Sequence, residues 1–148
     1  MKKIVLGAAS LLLAGMVAGA TAAAAAEHQV QMLNKGTDGM MVFEPSIVKI
    51  APGDSVHFVP TDKGHNVMSI EGMAPGGAAL FKGKMNEDLT VKFDQAGVYG
   101  IECKPHYGMG MVGLVVVGDP QNVADAKAVT QKGKAKQHFE KLFQQLGL

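Results

Sequence analysis

From Gln29 to about Gly118 the apolar residues fall in short runs separated by clusters of Gly, Pro, Asp and Asn. The runs are Gln29–Leu33, Ile47–Ile50, Ser55–Pro60, Asn66–Ile70, Asp88–Phe93, Gly97–Cys103 and Met111–Val117. Between them stand Asn34-Lys35-Gly36, Asp38-Gly39, Pro52-Gly53-Asp54, Lys63-Gly64 and Gln95-Ala96-Gly97. Each is a turn signal, because Gly accepts positive φ, Pro presets φ and Asn or Asp side chains bond their own backbone. Short strands at near-even spacing predict a β-sandwich or barrel. Residues 71–87 are richer in Gly and less periodic, and are expected to form a long connection with one short helical turn.

The pattern changes at Asp119. Asp119-Pro120 predicts a helix start, with Asp as N-cap and Pro at the first helical position. A second stretch, Lys134 to Leu146, sets Ala135, Phe139, Leu142, Phe143 and Leu146 on one face, with Lys132, Lys134, Lys136 and Gln137 on the other. Gly147 stands where a helix stop belongs. Such a helix is expected to pack on the surface of its own domain.

The start of the chain follows a different rule. Lys2 and Lys3 precede an apolar run, Ile4 to Val17, and then the small, Ala-rich segment Ala18 to Ala26. That order predicts a cleaved secretory signal over residues 1–26, with the cut after Ala23, Ala25 or Ala26. The run is shorter than the roughly 20 residues a membrane span needs. What remains, about 120 residues, is the size of one ordinary domain: residues 27–118 as a sandwich, with 119–148 as helices packed on it.

The charge balance is 14 Lys against 13 acidic residues, with no Arg, and two of the lysines lie in the leader. A near-neutral chain of this kind lacks the electrostatic footprint of a nucleic-acid binder. Its one Cys excludes an internal disulfide. A lone thiol in an oxidising compartment is buried, paired between chains, or bound to something.

The candidate chemistry is concentrated at the last β-region, Cys103-Lys104-Pro105-His106-Tyr107-Gly108-Met109-Gly110-Met111, with Gly64-His65-Asn66 upstream. A thiolate, two imidazoles and a thioether form the donor set of a blue-copper electron-transfer site. The soft sulfurs hold Cu(I), and imidazole serves both oxidation states. Zinc competes for Cys and His, although its structural sites rarely use Met. Met109 and Met111 compete for the thioether role. Two other classes stay open: a copper-delivery protein with an open, Met-rich site, and a redox enzyme. Five His are few for an oxygen-reducing copper oxidase, and a closed four-ligand site leaves no position for substrate.

These residues resemble those of the cupredoxins, and within them the pseudoazurins, over about residues 27–148. The matching pieces are Met32-Leu33-Asn34-Lys35-Gly36, Met41-Val42-Phe43-Glu44-Pro45, Asp62-Lys63-Gly64-His65-Asn66-Val67 and Pro105-His106-Tyr107-Gly108-Met109-Gly110-Met111. The resemblance implies an all-β, cupredoxin-like, eight-stranded Greek-key β-sandwich with two C-terminal α-helices. It implies one copper ion per chain held by His65, Cys103, His106 and Met111. It implies a periplasmic, monomeric one-electron carrier, not an enzyme, serving a cytochrome donor and a reductase such as copper nitrite reductase. Contact would be transient, around an exposed His106 edge framed by Met41, Pro105, Gly108, Met109 and Gly110 and ringed by Lys35, Lys63, Lys82, Lys84 and Lys104. The Asn66 amide is expected to donate to the Cys103 sulfur, while Pro105 removes a donor near it. His28 is expected near a frayed terminus, His57 facing out from its strand, and His138 on the polar side of the last helix. Two departures stand out: Lys104 replaces a Thr whose hydroxyl would tie the ligand loop to Asn66, and Glu102 replaces a Lys.

Overall fold

The computed structural model describes residues 23–148; most of the expected leader therefore lies outside the described residues. Eight strands follow in order: β1 (Glu27–Gly36), β2 (Gly39–Glu44), β3 (Ile47–Ile50), β4 (Ser55–Val59), β5 (Met68–Ser69), β6 (Leu89–Lys92), β7 (Gly97–Glu102) and β8 (Val112–Val117). A 3-10 turn, Lys104–Met109, joins β7 to β8, and two helices close the chain, α1 (Val123–Ala128) and α2 (Gly133–Leu146). The strands form two four-stranded sheets, ordered β2-β1-β4-β6 and β3-β8-β7-β5. Each sheet has one parallel pair, β1 with β4 and β3 with β8, and the remaining pairs are antiparallel.

Period-two alternation sends Val30 and Met32 of β1, and Val56 and Phe58 of β4, into a core with Tyr99 and Ile101 of β7 and Val115 and Val117 of β8. β8 is buried along its whole length. Its alternate residues, Val112 and Leu114, belong to a second core beneath α2, with Ala135, Phe139, Leu142 and Phe143. A strand covered on both faces reads as a continuous apolar run for this reason.

The expected architecture is present, with four local differences. β2 was not among the runs read from the sequence; it pairs with β1 from Gln31↔Glu44 to Gly36↔Gly39. The connection 71–87 contains turns and a single bridge, Met68↔Lys82, with no helical turn. α1 starts at Val123 instead of Pro120. Asn122 binds β7 there, accepting from Val98 N at 2.7 Å and donating to Val98 O at 2.9 Å, and this holds residues 119–122 on the sheet. The N-terminus is not frayed: β1 pairs with β4 from Glu27, and Asp54 binds both Ala26 N at 2.8 Å and His28 Nε2 at 2.9 Å. α2 ends as expected, with Gly147 at φ 71°.

Candidate metal centre

Strand alternation places the thiol. Tyr99, Ile101 and Cys103 lie on the core side of β7, and Cys103, just past its end, is fully buried. The same alternation on β8 runs back from Val117 and Val115 through Gly113 to Met111, also fully buried in that core. Gly113 is required there, because a Cβ would stand 2.8 Å from Ser46 O. Cys103 N donates to Met111 O at 3.0 Å, closing the base of the loop that carries His106. Met109 is 47% exposed and is not part of the core that holds Cys103 and Met111.

His65 comes from the segment after β4, and several ties hold that segment. Gly64 N donates to Asn86 Oδ1 at 2.6 Å, Asn86 N to His65 O at 2.9 Å, and Asn34 N to Asp62 Oδ2 at 2.7 Å. The ring is fully buried, and its Nε2 donates to Asn34 Oδ1 at 2.9 Å. That bond sets the tautomer, so the Nδ1 lone pair faces inward.

The three donor atoms converge. Cys103 Sγ lies 3.6 Å from His65 Nδ1 and 3.6 Å from His106 Nδ1, and the two nitrogens are 3.2 Å apart. A tetrahedral ion with bonds of about 2.0–2.3 Å sets N···N near 3.3 Å and N···S near 3.6 Å. The observed spacings fit a first-row metal. Burial pushes the Cys103 thiol up, against the lowering influence of the nearby Asn66 and His106 backbone amides. Burial also lowers His65, and the neighbouring His106 lowers it further. The pocket thus favours a neutral His65 ring, and a cation is the natural partner for the thiolate. Copper suits the set, because two soft sulfur-bearing side chains and two imidazoles are the donors it prefers.

The loop-to-loop tie is present despite Lys104. Its backbone N donates to Asn66 Oδ1 at 2.9 Å, and Asn66 Nδ2 donates to Gly83 O at 3.2 Å. The hydroxyl is therefore unnecessary for the connection. Asn34 was missed as a partner of the site, although it stood in a turn signal and in a family-matching segment. His138 is not on an open polar face: its Nδ1 donates to Gly110 O at 2.6 Å. His57 does face outward and bonds Asp88 at 2.9 Å. His106, Tyr107 and Met41 are half-buried; Pro105, Gly108 and Met109 are exposed, and Gly110 is buried against α2. Lys35, Lys63, Lys82, Lys84 and Lys104 are all exposed.

Comparison with known proteins agrees with this geometry. The family model for copper-binding proteins of the plastocyanin/azurin family matches residues 30–118. A pseudoazurin of Methylorubrum extorquens is 49% identical over 145 residues, covering 97% of each chain. A putative pseudoazurin of Rhizobium leguminosarum bv. viciae is 57% identical over 115 residues, 77% of this chain and 76% of the other. The crystal structure of pseudoazurin from Methylobacterium extorquens AM1 superposes with a TM-score of 0.79 at 52% identity, covering 81% of this chain and 98% of that one.

Proposed function

As a member of the plastocyanin/azurin family of copper-binding proteins, and within it of the pseudoazurins, this chain is a blue copper electron carrier and not an enzyme, and we propose that His65, Cys103, His106 and Met111 are its ligands. We propose further that it works in the periplasm as a monomer, between a cytochrome donor and a reductase such as copper nitrite reductase. The observation that carries the ligand assignment is the convergence of one Sγ and two Nδ1 atoms within 4.8 Å of one another. Met111 supplies the fourth donor, because it is buried in the core that holds Cys103 while Met109 is exposed.

Bound there, copper supplies one-electron chemistry between Cu(I) and Cu(II). The chain's part is to keep the donors still. Asn34 orients His65, Asn66 ties its segment to the ligand loop through Lys104 N, and the Cys103–Met111 backbone bond closes the loop. A site held this way moves little when charge changes, which favours fast transfer. No helix among the described residues is long and apolar enough to cross a membrane.

The half-buried His106 lies in the same turn as exposed Pro105, Gly108 and Met109. A partner can approach such a patch without stripping water from charges. The exposed lysines steer an acidic partner, so transfer rates fall as added salt shortens the Debye length below about 10 Å. A rate indifferent to salt would refute that surface.

The deciding experiment is Cu(II) titration of the chain followed by visible absorption and EPR, before and after ascorbate. An intense thiolate-to-copper band at one copper per chain, bleached on reduction and restored by air, is expected. A weak, ordinary Cu(II) spectrum would remove Cys103 from the ligands and leave copper delivery as the better reading.

A further inference from the structure

The peptide bond entering Met111 is held at both ends. Met111 N donates to His106 O at 3.1 Å, within the loop. At the other end Gly110 O accepts from Val112 N at 2.9 Å and from His138 Nδ1 at 2.6 Å. Of these groups only His138 comes from outside the loop and β8; it stands on α2, which the core beneath Phe139 and Leu142 anchors to β8. A carbonyl oxygen only accepts, so the contact assigns the proton of His138 to Nδ1.

The backbone of the loop lies directly on that helix. Gly110 has φ +91°, and a Cβ built there would stand 3.4 Å from Lys134 Cβ. A second tie lies one turn earlier in the loop. Tyr107 Oη donates to Gln131 Oε1 at 2.6 Å and accepts from Lys132 N at 3.3 Å. The helical tail therefore grips the ligand loop at two places, and the tighter lies next to Met111.

We propose that α2 is a clamp on the metal loop and that His138 is a positioning residue for the Met111 thioether. A carbonyl pinned at 2.6 Å prevents the 110–111 peptide from rotating about its flanking bonds. Met111 then enters β8 at one fixed φ, and its side chain meets the Cys103 and His65 donors from one direction. Without His138 the peptide is held by loop bonds alone. The inference rests on Met111 being the fourth ligand.

The first measurement uses the metal-free wild-type chain above neutral pH. Long-range proton–nitrogen correlation should find His138 protonated on Nδ1; protonation on Nε2 would overturn the clamp. The second compares His138→Ala with His138→Asn, whose Nδ2 stands where Nδ1 does. In the metal-free state, amide exchange at Met111 and Val112 should quicken about tenfold in H138A, the size expected for one lost hydrogen bond, and recover in H138N. In the copper-loaded state, the ratio of the two thiolate-to-copper bands should shift in H138A and return in H138N. Unchanged exchange overturns the clamp. Faster exchange with an unchanged spectrum overturns the positioning role. If H138A does not fold, the wild-type tautomer and H138N still decide. Met111→Leu in the loaded protein separates a failure of this inference from a failure of the ligand assignment, since only the latter leaves its spectrum unaltered.

Discussion

Asn66→Ala tests the tie between the two ligand-bearing segments. The side chain is buried and makes two bonds: Oδ1 accepts Lys104 N at 2.9 Å, and Nδ2 donates to Gly83 O at 3.2 Å. Truncation leaves a part-buried N–H and a buried carbonyl without partners. Each orphaned group costs about 1–3 kcal/mol, so a loss of roughly 2–5 kcal/mol is expected, a little relieved by water entering beside Lys104. The assay is urea unfolding of the metal-free chain, reading the midpoint at constant m-value. Asn66→Asp separates the two bonds, since it keeps the acceptor for Lys104 and loses the donor to Gly83. Lys104→Thr should change stability by less than about 0.5 kcal/mol, because the backbone N already occupies the acceptor. A loss below about 1 kcal/mol in N66A would refute the claim that this residue joins the loops.

Three further outcomes follow from the same contacts. Asn34→Ala removes the acceptor that orients His65, so copper affinity should fall about 10–100-fold in a chelator competition while the fold survives. Asp54 is held below its ordinary 3.8 by the Ala26 amide, His28 and the Ala51 amide, so it stabilises the fold above that value. The contribution disappears as pH falls through the lower folded value, and urea midpoints between pH 3 and 6 should drop on acidification in the wild type and flatten in Asp54→Asn. Phe139→Ala empties a buried site between α2 and β8 and should cost about 3–5 kcal/mol in the same unfolding assay.

The residues that were hard to read in the sequence share a cause. β2 escaped because Gly39, Met40 and Met41 break alternation, and Met41 lies at φ +54°. Its first half owes its strand character to pairing with β1 across a tight turn, while Val42 and Phe43 are buried. The start of α1 was set by Asn122 reaching β7, a contact 24 residues back along the chain. Asn34 and His65 are 31 residues apart, and His138 and Gly110 are 28 apart. Hydropathy patterns carry information over a few residues, so partners at such separations leave no local mark.

The sequence by itself determined the alternating strands, the amphipathic last helix with its Gly147 stop, and the candidate donor set. Those depend on side-chain period, backbone permissiveness and ligand chemistry, all of which are local. Tertiary structure alone decided the parallel pairings of β1 with β4 and β3 with β8, and the antiparallel pairing of Met68 with Glu102 that brings residue 65 beside residues 103 and 106. It also decided which imidazole nitrogen faces the sulfur, and which helix face grips the loop. Those outcomes rest on hydrogen bonds between segments remote in the chain, whose geometry exists only once both cores have closed.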